Sequence, residues 1–280
     1  MLRKIVIVLL SCLVLFSNSD LTQAIEVVKQ DNPISFTLEI LPWEIVDKLI
    51  PRKTIFTIID IETGMQFQVQ RRAGQSHADV QPLTRKDTMI MKKIYDDKWS
   101  WKRRAIIVLS EDNMIAASMH GMPHGAGALR NSFPGHFCVH FLDSTTHKSK
   151  NANRAHKLMI VKAAGQLEKY VHQANPYELI HIFTEGINQN DPRILGLTVS
   201  VESFKKLQQR IEDIEQVNAT LTEELSNQEL ESLLFLEVSV KLKMYRKGKG
   251  KEVKTIHFLL ERESLNEHWV INGESLYDQL

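Results

Sequence analysis

Histidines, together with one cysteine, are concentrated in one stretch of the sequence, where they could act in catalysis or bind a metal ion. Seven of the eleven histidines lie between His77 and His156. His136, Cys138 and His140 follow one another at every second position, so on a strand they share one face. The intervening Phe137 and Val139 then point into a core. We therefore expect a strand whose titratable face, beside a glycine-rich loop at 121–135, faces an open cleft; an ordinary solvent-facing strand edge is the alternative.

Cys138 could act as a nucleophile. A thiol attacks only as a thiolate, and a neighbouring imidazole is the usual group that lowers its pKa or accepts its proton. His136 is the nearest candidate for this general base, and His120 is the second if the loop between them folds back. This chemistry needs no cofactor.

The same cluster could instead bind a metal ion. His77, Asp79, His136, His140 and His147 are the candidate ligands, and imidazoles combined with a carboxylate or thiolate are a donor set that suits tetrahedral zinc. Their spacing matches no named zinc signature. Each histidine taken alone is also compatible with a structural role.

Two short motifs stand about fifteen residues apart: His120-Gly121 and the run from Gly135 to His140. Together they resemble the two elements of the active-site signature of the YkuD-type L,D-transpeptidases. The resemblance covers roughly residues 36 to 147. It departs from the family at Phe137, where the family has glycine, and at His140, where it has arginine.

The resemblance implies an enzyme that acts on the stem peptides of peptidoglycan. Cys138 would be the nucleophile and His136 or His120 the general base, while backbone amides from Gly135 onwards would stabilise the oxyanion. Four residues are the candidates for substrate binding: His124, His140, Arg104 and Gly135.

Arg104 belongs to an aromatic and basic patch with Trp99, Trp101 and Arg103. Such a patch could stack on a sugar ring or hold a carboxylate, because arginine presents a planar fork of donors. A half-buried strand start with solvated arginines is the alternative.

A second resemblance rests on five short strings of the sequence, at 76–80, 99–104, 121–125, 135–141 and 146–147. They resemble strings in a group of uncharacterised secreted proteins of spore-forming Gram-positive bacteria. Some members of that group carry aspartate at the position of Cys138. An aspartate could still bind a metal ion but could not act as a thiol.

The N-terminus predicts export. Arg3 and Lys4 precede an apolar run from Ile5 to Phe16, and Ala24 offers a cleavage site, as in a signal peptide spanning 1–24. We therefore expect an extracytoplasmic protein, secreted or associated with the cell wall, that does not stay in the membrane after cleavage. Its 35 basic and 34 acidic residues give no global field that would favour nucleic acid.

The element pattern predicts an α+β protein. The expected order is a β-rich, L,D-transpeptidase-like domain at 30–150, a linking helix at 151–175, and a helix-plus-antiparallel-sheet domain at 176–280 that resembles NTF2-like domains. In the first part of the chain we expect a hairpin at 54–71, a helix at 84–95 opened by a Thr84/Asp87 capping box, and a strand at 136–142. A helix at 153–172 should follow. In the last part we expect a helix at 203–214 and strands at 234–245, 253–262 and 269–271.

Three functions follow from these patterns. The first is cell-wall remodelling by a cysteine L,D-transpeptidase whose partner is a peptidoglycan or cell-wall peptide. The second is a zinc-dependent cell-wall peptidase or amidase that uses the histidine cluster. The third is an envelope binding protein without catalytic activity.

Overall fold

The computed structural model describes residues 37–146, 153–222 and 224–280, without the side chains of residues 201 and 202. The predicted signal peptide and His147 lie outside the described residues. The described chain is of the α+β class, as the sequence predicts.

Six strands close into an antiparallel barrel. The strands of this half of the chain are β1 (Leu38–Glu39), β2 (Ile55–Asp60), β3 (Gln66–Ala73), β4 (Ala78–Pro82), β5 (Arg103–Ser110), β6 (Asn113–His120) and β7 (Phe137–His140). The order round the barrel is β2-β3-β4-β7-β6-β5, with β5 paired to β2. The two-residue strand β1 pairs in parallel with the beginning of β6.

Every second side chain of these strands points into the barrel, and apolar side chains form its core. Ile58, Val69, Val108 and Phe137 are fully buried members of one apolar core. Because side chains alternate across a strand, the residues between them lie on the outer face of the barrel. That outer face is where the polar groups of β4, β6 and β7 are found.

Two helices belong to the barrel half of the chain: α1 (Trp43–Leu49) and α2 (Arg85–Ile94). The predicted capping box of α2 is confirmed, since Thr84 and Asp87 bond reciprocally. The Asp87 carboxylate also accepts from the backbone N–H of Gln68, 2.9 Å away. This cap therefore ties the helix to β3.

The predicted single helix at 153–172 is wrong in one respect. It is two helices, α3 (Arg154–Ala163) and α4 (Leu167–His172), because Gly165 adopts a φ of +71° between them, a conformation that favours glycine. Helix α3 contacts β5 and β6 on the outside of the barrel. Ala105 and Ala116 share a core with it there, and such small side chains allow a close approach.

The remaining elements form a second, four-stranded antiparallel sheet with helices packed on it. In chain order the elements are α5 (Pro176–Gln189), α6 (Pro192–Thr198), α7 (Val201–Ile211), β8 (Ile214–Leu221), α8 (Asn227–Glu231), β9 (Phe235–Arg246), β10 (Gly250–Glu261), β11 (Val270–Ile271) and α9 (Gly273–Gln279). The strand order in the sheet is β11-β10-β9-β8. Residues 38–280 form one compact unit.

The prediction of a helix through Ile214 is also wrong at its end. Helix α7 stops at Ile211, and Ile214 begins β8. This strand buries Ile214 and Val217, and its register with β9 shifts between Ile214 and Gln216. The shift breaks the two-residue alternation that would have marked a strand in the sequence.

Candidate metal centre

The candidate site lies on the outer face of three neighbouring barrel strands. Asp79 is paired with Cys138 between β4 and β7, and Ser118 is paired with His140 between β6 and β7. The residues between them, such as Phe137 and Met119, belong to the barrel core. Sheet register therefore brings together polar residues that are up to about sixty positions apart in the chain: His77, Asp79, Ser118, His120, Cys138 and His140.

This polar face is buried, and the expectation of an open cleft is wrong. Cys138 is only 2% exposed. Helix α3 covers part of the face, where His156 stacks on His140 with ring centroids 3.7 Å apart. The glycine-rich loop covers another part. Burial of a strand face by a helix and a loop that come from elsewhere in the chain cannot be predicted from the residue alternation of that strand.

Hydrogen bonds hold the loop between β6 and β7 over the site. His124 and His136 exchange two backbone hydrogen bonds of 2.9 Å. The side chain of Gln81 donates to the carbonyl of Gly135 and accepts from the N–H of Ala128. At Gly135, where φ is +116°, an added Cβ would lie 2.4 Å from the carbonyl oxygen of His124. Only glycine therefore fits there.

The sulfur of Cys138 lies within reach of an imidazole and a carboxylate. Its Sγ is 3.3 Å from Nε2 of His124 and 3.8 Å from Oδ1 of Asp79. Burial, and then the negative charge of Asp79, raise the pKa of the Cys138 thiol well above its usual range. The thiol is therefore protonated at neutral pH unless a cation stabilises its thiolate.

Three imidazoles are oriented by hydrogen bonds from Nδ1 to backbone carbonyls. The Nδ1 atoms of His77, His124 and His136 lie 2.8, 3.1 and 3.0 Å from the carbonyl oxygens of Thr145, Met122 and Ala126, respectively. A carbonyl oxygen can only accept, so each Nδ1 carries the proton. In the neutral ring Nε2 is then left with its lone pair.

His140 has the same orientation through a serine. The hydroxyl of Ser144 donates to the carbonyl of Phe141, 2.8 Å away, so its single proton is used. His140 Nδ1, 3.1 Å from this hydroxyl, must therefore be the donor. The lone pair of His140 is again on Nε2.

The lone-pair nitrogens face other electron-rich atoms. Nε2 of His77 is 3.2 Å from Oδ1 of Asp79, and Nε2 of His136 is 3.8 Å from the same oxygen. Lone pairs at such distances repel each other unless a cation, either a proton or a metal ion, lies among them. Histidine ligands of metal ions are commonly oriented in this way, with Nδ1–H held by a carbonyl and Nε2 facing the ion.

Among the residues that the structure describes, two sets of three ligand atoms are close enough to hold one ion each. The first set is His77, Cys138 and His140; the second is His120, His124 and Cys138. Within each set the ligand atoms lie no more than 4.8 Å from one another. Cys138 is common to both. All members of the first set are buried, whereas His124 in the second set is partly exposed.

His120 is suited to ligation. It is 4% exposed, and its Nδ1 has no hydrogen-bond partner among the described residues. Burial, and then the neighbouring His124, hold the pKa of His120 well below its usual range. The ring is therefore neutral and keeps a lone pair for a metal ion.

The structure gathers most of the residues singled out in the sequence. His77, Asp79, His120, His124, His136, Cys138 and His140 all belong to this cluster. Arg104 instead bonds to the carboxylates of Asp60 and Glu62. The imidazole found beside the sulfur is that of His124, which the sequence suggested for substrate binding.

One member of the site was missed in the sequence. His156 belongs to helix α3, and only the density of histidines up to position 156 could have suggested it. Trp101, which the sequence assigned to an aromatic and basic patch, lies against His120 and His124 with ring centroids 4.7 and 5.5 Å apart. No spacing in the sequence linked that patch to the histidines.

Comparison with protein-family models, with curated proteins and with solved structures gave no match. Within 37–146, 153–222 and 224–280, no helix has both the length and the apolar character that crossing a bilayer requires.

Proposed function

We propose that this protein is a zinc-dependent hydrolase and that its metal ion is held by the histidine cluster around Cys138. One observation carries the proposal: the ligand atoms of His120, His124 and Cys138 lie within 4.8 Å of one another. The carbonyl of Met122 accepts from Nδ1 of His124, so that the Nε2 of this ring faces the sulfur. Histidine ligands of metal ions are commonly oriented in this way.

Zinc is the metal that suits these donors. Imidazole together with thiolate is a borderline-to-soft donor set that favours zinc over magnesium or calcium, which prefer oxygen. Of the two ligand sets, His120, His124 and Cys138 fits a catalytic ion better. Its member His124 is partly exposed, and three protein ligands leave a fourth position for water.

Asp79 would be the general base in this proposal. Its Oδ1 is 3.8 Å from Sγ of Cys138, so it would lie close to the ion and would accept a proton from the attacking water. Bound zinc would lower the pKa of water and polarise the carbonyl of the substrate.

Peptide bonds of peptidoglycan are the proposed substrate. The basic and apolar N-terminal segment supports export to the compartment that contains this polymer. The resemblance of the segment 120–140 to a cell-wall enzyme family supports the same substrate. The exposed ring of Trp101 lies over the second ligand set, and the substrate would approach the ion on this side.

The test is hydrolysis of purified muropeptides before and after chelation. We expect 1,10-phenanthroline to abolish hydrolysis, stoichiometric zinc to restore it, and the non-chelating 1,7-isomer to have no effect. The zinc should be protein-bound, with a thiolate and imidazoles as its ligands. Hydrolysis that persists in a metal-free sample would contradict the proposal.

A thiol acyltransferase of the L,D-transpeptidase type is the second candidate. The 3.3 Å separation of Cys138 Sγ and His124 Nε2 favours it, since such a pair can form a thiolate and an imidazolium. The raised thiol pKa and the burial of the sulfur oppose it. A thiol enzyme would lose activity with iodoacetamide but keep it with phenanthroline.

A further inference from the structure

A cavity of about 640 Å³ lies next to the cluster. It is bordered by the turn after α2, the start of β5 and the turn between α5 and α6. Arg103 lines it, and in the β5–β6 pairing Arg103 lies directly opposite His120. The cavity is therefore separated from the proposed metal ion by one cross-strand pair.

The lining of this cavity has an excess of positive charge. It contains six basic side chains and three acidic ones. Two of the basic groups are already paired: Arg104 with Asp60 and Glu62, and Lys162 with Glu62 and Asp191. These pairs use Glu62 and Asp191. The remaining cations include Arg103 and Lys102.

Arg103 has an unused donor. Its Nη1 donates to the carbonyl of Trp101, 2.9 Å away, but its Nε is buried and has no acceptor among the described residues. Burial also lowers the pKa of this guanidinium. A buried donor without an acceptor costs free energy, so this guanidinium is not fully satisfied within the described chain. An anion in the cavity that Arg103 lines would stabilise its positive charge.

We infer that this cavity binds a carboxylate of the substrate and that Arg103 is its main contact. The inference rests on the proposed function for the identity of the substrate, a peptide with a free carboxylate close to the bond that is cut. Trp101 contacts both the cavity residue Arg103 and the proposed metal site. Its carbonyl accepts a hydrogen bond from Arg103, while its ring lies against His120 and His124. Arginine suits this task because it offers two parallel donors to a carboxylate.

The experiment is calorimetric titration of the full protein with N-acetyl-D-alanine and with its C-terminal amide. We expect the acid to bind at least about tenfold more tightly than the amide, because hydrogen bonds to charged groups are the stronger ones. Arg103→Gln should remove this preference. Arg52→Gln, at an exposed arginine in the turn before β2, makes the same charge change and should keep it.

The outcomes separate this inference from the metal proposal. The titrations are repeated in the presence of a chelator, and a preference for the acid that persists there supports the cavity even if no zinc is found. Equal binding of acid and amide overturns the inference. The inference is also overturned if Arg103→Gln keeps the preference for the acid at an unchanged melting temperature. It is overturned as well if inorganic phosphate binds as tightly as the acid, since the cavity would then be a general anion site.

Discussion

Replacing Cys138 with alanine is expected to lower the affinity for zinc by at least about 100-fold, since even second-shell partners of metal ligands contribute 10- to 100-fold. Cys138 belongs to both possible ligand sets, so its loss cannot be compensated by a shift of the ion from one set to the other. The affinity is measured by competition with a chromophoric chelator. Circular dichroism of the metal-free variant checks that it remains folded.

Cys138→Asp is the matched control. An aspartate keeps an anionic ligand at this position but removes the thiol, so we expect zinc binding to survive while thiol reactivity disappears. Wild-type affinity in Cys138→Ala would mean that the sulfur is not a ligand. Loss of all function in Cys138→Asp despite bound zinc would favour the thiol mechanism instead.

Replacing Arg104 with leucine is expected to lower the free energy of unfolding by about 3–5 kcal/mol, the usual cost of removing one partner of a buried ion pair. Asp60 is 0% exposed, and its two oxygens accept from Arg104 at 2.8 and 2.6 Å. The variant leaves this carboxylate buried without its main counter-charge. Urea unfolding followed by tryptophan fluorescence measures the change.

The double variant Asp60→Asn, Arg104→Leu distinguishes charge from packing. Asparagine can still accept from Thr63, which bonds to Asp60 in the native protein, and it carries no charge to be compensated. We expect the double variant to recover most of the lost stability. A loss of less than about 1 kcal/mol in Arg104→Leu would indicate that this pair behaves like an exposed salt bridge.

Local signals predicted the elements that depend on local physics. The capping box at Thr84 and Asp87 marks the start of α2, and β2 and β3 form the predicted hairpin. Each of these features is decided within a few residues by hydrogen bonds or alternation. The break at Gly165 shows the limit, because apolar spacing continues across it.

The site depended on contacts that no local pattern contains. The two-residue spacing of Cys138 and His140 correctly placed them on one strand face, but closure of the barrel between β6 and β7 decided what lies beside them. The register that pairs Asp79 with Cys138 joins distant positions. His124 reaches the sulfur only because the glycine-rich loop folds back over β7.

The most direct measurement is the zinc K-edge X-ray absorption spectrum of the purified protein. A centre built on Cys138 and histidines predicts one sulfur ligand at about 2.3 Å and two or more nitrogen or oxygen ligands at about 2.0–2.1 Å. The sulfur shell should vanish in Cys138→Asp, while the nitrogen shell remains. A protein that binds no zinc, or a spectrum without sulfur in the native protein, would contradict the metal centre proposed for this cluster.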